Sequence, residues 1–175
     1  VLVDTLLRRR DFEGALKAVD AMAAKDPKAP GVDLIRGRIH LLRADWPAAR
    51  QSLLRAVELH PQNYPSLAAL AALDAAQGKV NEAIQRYDKF LAANPPPAVR
   101  SMALRGLAGL KFQARAPQED VVKVLRDAVA ADPESEPAAV MLVDGLLRGR
   151  QVEAALSAAQ TALAMPPDLS CVGVA

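Results

Sequence analysis

A proline beat constrains this chain more than any other feature. Pro27, Pro61 and Pro95 stand 34 residues apart, Pro133 follows after 38, and Pro167 after a further 34. Each comes after an apolar stretch of helical period, in Asp26-Pro27, His60-Pro61, Asn94-Pro95, Asp132-Pro133 and Pro166-Pro167. Proline at such a place ends a helix, because it has no N–H to donate and pushes the preceding residue out of the α region. Self-similarity at this period marks an array of stacked supersecondary units, each unable to bury its apolar face alone.

Other positions keep the same phase. Twelve residues before the prolines stand Ala15, Ala49, Ala83, Val121 and Ala155; three residues earlier come Phe12, Trp46, Val80, Gln118 and Val152. Five residues before the prolines lie Met22, Ala56, Phe90, Ala128 and Ala162. A small residue at the first of these positions lets the second helix of a unit (helix B) approach the first (helix A). The bulky residue three earlier opens helix B and plugs the turn, so Trp46 is expected in the core, a ring for a sugar to stack on being the alternative. Helix pairs are expected at 1–9 with 11–25, 30–43 with 46–59, 64–77 with 80–93, 98–113 with 118–131, and 135–149 with 151–164. Gly78 falls where a helix A must end and suits a left-handed backbone. Gly37 lies inside a helix A, where it costs about 1 kcal/mol against Ala, so close helix–helix contact is its expected compensation. The four extra residues of the fourth unit are expected at its turn, Ala114 to Pro117, with Pro117 at the first helical position and Glu119 and Asp120 at the positive helix N-terminus.

Composition agrees with an all-α chain. Apolar residues make up 51% and aromatics only 3%, so the apolar mass is Ala, Leu and Val, which suits closely packed helices. The 22 basic and 20 acidic residues are too balanced, and too free of clustered basic residues, for a nucleic-acid face. The single Cys171 excludes an internal disulfide framework and a multi-cysteine metal site. No run of apolar residues is long enough to span a membrane. The chain opens on Val1, which suggests a piece of a longer protein.

These residues resemble the tetratricopeptide repeat. Its pattern of Gly or Ala in helix A, a bulky residue and Ala in helix B, and a closing Pro recurs over nearly the whole chain. The resemblance implies an all-α, right-handed α-solenoid of about five helix-turn-helix pairs over residues 1–167, in units of about 1–27, 28–61, 62–95, 96–133 and 134–167. Residues 168–175 would be a tail or the start of a further repeat. There are departures: Asp33 and Arg36 occupy helix A positions that are usually apolar, and His40 and Asp74 replace the usual tyrosine, so looser packing of helix A is expected there. More specifically, the stretch Gly37 to Leu41, the stretch Pro65 to Gly78 and the run Glu119 to Leu125 in an expanded repeat are similar to the TPR-repeat lipoprotein family of bacterial PEP-CTERM/exosortase sorting systems. That resemblance implies a lipid-anchored parent at the periplasm or outer membrane, associated with exopolysaccharide export.

A stacked array makes a groove lined mainly by helix A, and such grooves bind extended peptides or partner helices. Repeat phase selects Leu34, Arg38 and Leu41 in the second unit, Ala68, Ala72 and Ala75 in the third, Met102 and Arg105 in the fourth, and Val140, Asp144 and Arg148 in the fifth. Each could equally be a solvated or neighbour-packing residue. The paired Asn and Lys of a chaperone-tail clamp are missing, whereas Arg38 and Arg148 can hold an acidic group by a bidentate contact. Arg8, Arg9, Arg10, Arg43, Arg148 and Arg150 collect at helix A C-termini, where cations also complement the helix dipole. His40 and His60 stand without converging ligands or an oriented base, so no catalytic, metal or cofactor site is expected. The implied function is a non-catalytic protein–protein interaction scaffold. A generic bacterial TPR adaptor, or the regulatory module of an enzyme with its catalytic domain elsewhere, are the alternatives. Apolar ends are expected to pair with another copy or to fray, including the stretch from Leu169 to Ala175.

Overall fold

In the computed structural model, which describes residues 2–29 and 31–164, the bulky residue of every repeat is where a helix begins. Phe12, Trp46, Val80, Gln118 and Val152 each open a second helix, and the prolines at 27, 61, 95 and 133 each follow one. The chain divides into two compact units, Val1–Ala93 and Asn94–Ala175. The first carries α1 (Leu2–Arg8), α2 (Phe12–Lys25), α3 (Val32–Leu42), α4 (Trp46–Leu59), α5 (Tyr64–Ala76) and α6 (Val80–Ala92). The second carries α7 (Pro97–Gln113), α8 (Gln118–Ala131), α9 (Glu136–Arg148) and α10 (Val152–Leu163). Every described element is a helix, and each odd-numbered helix packs on the one that follows it. Pro30, Pro166, Pro167, Cys171 and the stretch Leu169 to Ala175 lie outside the described residues.

One turn closes all five pairs. Its middle residue is left-handed in each: Arg10, Ala44, Gly78, Arg115 and Arg150 have φ between 56 and 77°. The next N–H reaches back five residues, as in Lys79 to the Asp74 carbonyl at 2.8 Å and Asp45 to the His40 carbonyl at 2.9 Å. This is the Schellman arrangement, which satisfies carbonyls that a helix end leaves orphaned. Only Gly78 fills the position with the residue type that tolerates it freely. The following helix is capped by Asp11 and Asp45 in the first two pairs, whose carboxylates accept from the N–H groups of Gly14 at 2.8 Å and Ala48 at 3.2 Å.

The small helix B residues are buried: Ala15, Ala49 and Ala83 at 0%, and Ala155 at 2% exposure. Gly37 is explained by contact, since a Cβ there would stand 2.7 Å from the Leu53 side chain of α4. In the first unit Ala15, Val19, Val32 and Ile39 form one buried cluster, and Ala49, Leu53, Leu70 and Leu73 a second. In the second unit Val121, Val122, Leu125, Leu142 and Leu146 do the same between α8 and α9. Tyr64 meets Tyr87 edge-on, with ring centroids 6.5 Å apart, and packs near Phe90.

Four expectations are corrected. The extra residues of the fourth pair lengthen helix A: α7 has 17 residues where α5 and α9 have 13, and its turn gains only one. Ala114 and its neighbours are good helix formers, so nothing local forces the helix to stop early. Pro117 caps α8 from outside, with Glu119 and Asp120 in the first turn. Trp46, expected in the core, is 47% exposed, because the first residue of helix B has packed helix on one side only. Of the polar residues expected to loosen helix A, Asp33 and Asp74 are instead buried and tied, while Arg36 and His40 are half-buried. Asp33 accepts from Arg36 at 2.5 Å and pairs with Arg55 of α4 at 3.1 Å, while Arg36 also reaches Asp20 of α2 at 2.9 Å. Asp74 is fully buried between Arg50 of α4 and Arg86 of α6. His40 faces Asp45 with Nδ1 3.5 Å from the carboxylate. Gln118, the odd residue among the helix B openers, donates to the Gly145 carbonyl of α9 at 2.7 Å.

Candidate binding grooves

Each unit holds an open groove framed by a helix A, its helix B and the next helix A. In the first unit α1, α2 and α3 enclose about 470 Å³, lined by Leu2, Val3 and Leu7, by Met22 and Lys25, and by Ile35 and Arg38, with Asp4 also present. Leu2 and Met22 are apolar yet 65% and 44% exposed. Arg38 is exposed as well, and among the described residues it has no ion-pair partner. Of the six arginines between Val32 and Ala92, the other five are paired: Arg36, Arg43, Arg50, Arg55 and Arg86. Arg43, expected on a basic rim, is held by Glu13 at 2.7 Å.

In the second unit α7, α8 and α9 frame a smaller opening of about 140 Å³, lined by Phe112, Gln118, Met141, Asp144 and Arg148 among others. Arg148 donates to Asp144 at 2.7 Å. Its guanidinium also lies 5.0 Å from the centroid of the half-exposed Phe112 ring, a cation–π contact that bridges α9 to α7.

The residues singled out by repeat phase divide accordingly. Arg38, Asp144 and Arg148 line grooves. Leu34 and Leu41 are partly buried against Leu53 and Leu70, and Ala75 is buried at 8% exposure. They serve packing around α3, α4 and α5, where α3 and α5 touch directly. Ala68 is half-buried and Ala72 exposed on α5. Met102 is exposed on α7, and Arg105 is half-buried with its Nε enclosed and unpaired. Val140 points outward at 59% exposure, while its neighbour Met141 lines the groove. Likewise Ile35 lines the first groove where Leu34 was expected. Successive helical residues point about 100° apart, so Leu34 turns to the α4–α5 side while Ile35, three before Arg38, shares its face, as Met141 shares that of Asp144 and Arg148. Met22 and Lys25, from helix B, were missed, and repeat phase gives no signal for them: Ala56, Phe90 and Ala128, in phase with Met22, are buried. Among the described residues no three His, Cys, Asp or Glu side chains gather as metal ligands, and no helix is long and apolar enough to cross a membrane.

Comparison with known proteins bears on this architecture directly. The family model described as tetratricopeptide repeat matches residues 1–64 and 68–136. No curated protein matches the sequence. Among solved structures, the fold is similar to that of MamA from Desulfovibrio magneticus RS-1, with a TM-score of 0.65 at 19% identity, covering 92% of this chain and 89% of that one. It is similar also to Pseudomonas aeruginosa PilF (TM-score 0.73, 16% identity, 93% and 72% covered). A third is YrrB, described as a TPR protein with an unusual peptide-binding site (TM-score 0.60, 14% identity, 95% and 84% covered). At such identities the likeness speaks for the fold. The repeat pattern, the helix pairs with their shared turn, and a family model matched over most of the sequence agree, and the chain belongs to the tetratricopeptide-repeat family.

Proposed function

We propose that this chain is a non-catalytic interaction scaffold that holds a protein or peptide partner in the grooves formed by adjacent helix pairs. The observation that carries this reading is the α1–α2–α3 groove, where exposed Met22 stands beside Arg38, which has no ion pair among the described residues. Apolar area with a few placed polar groups is the usual make-up of a site that buries a ligand, and helical-repeat grooves take extended or helical peptides. Protein and peptide binding is also what the tetratricopeptide-repeat family does, with YrrB as a solved example whose description names a peptide-binding site.

Panning the purified chain against a displayed random-peptide library tests it. Enriched peptides should bind in solution, and Met22→Ser and Arg38→Gln should weaken them about tenfold or more, as expected for central contacts of a small interface. Enrichment of peptides indifferent to every groove substitution would sink the groove as the site.

The finer reading places the parent protein in bacterial exopolysaccharide export or PEP-CTERM protein sorting at the periplasm or outer membrane. It is supported by the resemblance of the Gly37 to Leu41, Pro65 to Gly78 and Glu119 to Leu125 stretches, the last within the expanded repeat that α7 lengthens. A generic envelope adaptor and a regulatory module of a larger enzyme share the same groove chemistry. Fractionation of native cells for the full-length protein tests the location: recovery with the cytosol would overturn the envelope reading.

A further inference from the structure

Opposite charges occupy one repeat position in the two grooves. Arg38 and Asp144 each stand 23 residues before the closing proline of their repeat, Pro61 and Pro167, and each lines its groove. In the second groove that charge is already answered. Asp144 accepts from Arg148, and the Arg148 guanidinium in turn covers Phe112. In the first groove it is not. Arg38 is the one arginine of six between Val32 and Ala92 without an ion pair among the described residues. Lys25, in the same lining, is also without one. Asp4, the acidic group there, has a partner of its own.

A solvated guanidinium is stable enough, but it gains most when an anion covers it and water leaves, since charge-assisted bonds strengthen as the local dielectric falls. Its planar fork suits a carboxylate in two-point contact. Met22, exposed beside it, needs an apolar group to cover it. We propose that the α1–α2–α3 groove recognises an acidic-apolar peptide segment: a Glu or Asp side chain held by Arg38, flanked by bulky apolar side chains over Met22 and Ile35. The α7–α8–α9 groove does not select it. A uronate-bearing polysaccharide offers the carboxylate without apolar side chains, and would leave Met22 in water.

The inference rests on the interaction-scaffold reading, and one titration separates the two. A short fluorescein-labelled peptide with a central Glu between Leu and Phe residues, and its Gln twin, are titrated against the full chain by fluorescence polarisation at fixed ionic strength. The Glu peptide should bind about tenfold tighter, the scale of one charge-assisted hydrogen bond. Arg38→Gln should abolish that difference while Arg148→Gln leaves it intact, with circular dichroism confirming that both variants fold. Equal binding of the two peptides, lost for both in Met22→Ser, would overturn acidic selection and leave the groove standing. Survival of the Glu preference in Arg38→Gln would overturn the assignment of Arg38. Displacement by polygalacturonate at equal carboxylate concentration, dependent on Arg38, would assign the site to a polysaccharide instead. Binding of neither peptide would remove both readings.

Discussion

The carboxylate of Asp74, fully buried on α5, accepts a hydrogen bond from Nε of Arg86 on α6 at 2.8 Å. Arg50 of α4 meets the other carboxylate oxygen, so one acidic side chain ties two successive second helices to the first helix between them. Both arginines keep part of their surface in water, at 21% and 28% side-chain exposure, whereas Asp74 keeps none. The charge that must not be orphaned is therefore the carboxylate.

Removing the arginines should cost more than their surface position suggests. Arg50→Gln/Arg86→Gln leaves Asp74 buried without a counter-charge, a situation worth about 3 kcal/mol or more. Asp74→Asn frees two arginines that can turn to solvent, and should cost less than the double arginine variant. Urea unfolding followed by circular dichroism ranks them. The reverse order would show that the carboxylate is not stranded when the arginines are removed, and would overturn this account.

At Gly37 two effects oppose each other, and their magnitudes decide. Alanine gains about 1 kcal/mol in helix propensity, but its Cβ would stand 2.7 Å from Leu53 Cγ and Cδ2. Leu53 is itself fully buried, and overpacking of this kind costs about 1–3 kcal/mol. Gly37→Ala is thus expected to destabilise on balance. Shortening the obstacle should recover part of the loss, so Gly37→Ala/Leu53→Ala should unfold at higher urea than the sum of the single effects implies. Strict additivity would mean that α3 moves aside without strain.

These cases mark how far the sequence could be read. Ala15, Ala49 and Ala83 were legible because backbone-close packing demands a small residue at that place in the repeat. Asp33 and Asp74 looked like weak points, because a position-by-position reading sees a charge where an apolar residue belongs. Their partners lie elsewhere: Arg50 and Arg86 are 24 and 12 residues from Asp74, on other helices. The lengthening of α7 was hidden for a different reason, since its last residues and those of the turn share helix propensity. In the grooves Arg38 lines the first opening, while Ile35 and Met141 stand one residue from the positions counted, because repeat phase fixes a spacing and not which side of helix A faces the groove.

The shared turn gives a prediction by comparison. Ala44 holds φ at 58° where Gly78 holds 77°, and the left-handed region costs an L-residue about 1 kcal/mol or slightly more. Ala44→Gly should stabilise the chain by about 0.5–1 kcal/mol despite the looser unfolded state, and Gly78→Ala should destabilise by a similar amount. Nothing lies within 4 Å of a Cβ added to Gly78, so the second effect would be backbone strain alone. Matched thermal melts of the two variants test it; shifts of the same sign would contradict the turn argument.

Tyr87 supplies a pH dependence. Burial raises its phenol well above the ordinary value, and the charge of Tyr64 and a hydrogen bond with it push the same way. The unfolded chain ionises this phenol near pH 10, while the folded chain keeps it neutral. Its contribution to stability is therefore complete below about pH 10 and is lost as pH rises beyond it, at about 1 kcal/mol per pH unit. Tyr87→Phe removes that slope together with a hydrogen bond worth about 1 kcal/mol. The variant should be the less stable at pH 8, and the gap should close by about 1 kcal/mol by about pH 11. Other tyrosine and lysine titrations act on both proteins and cancel in the difference. Urea midpoints of the pair at the two pH values provide the measurement, and parallel pH profiles would mean that the Tyr87 phenol is open to water in the folded chain.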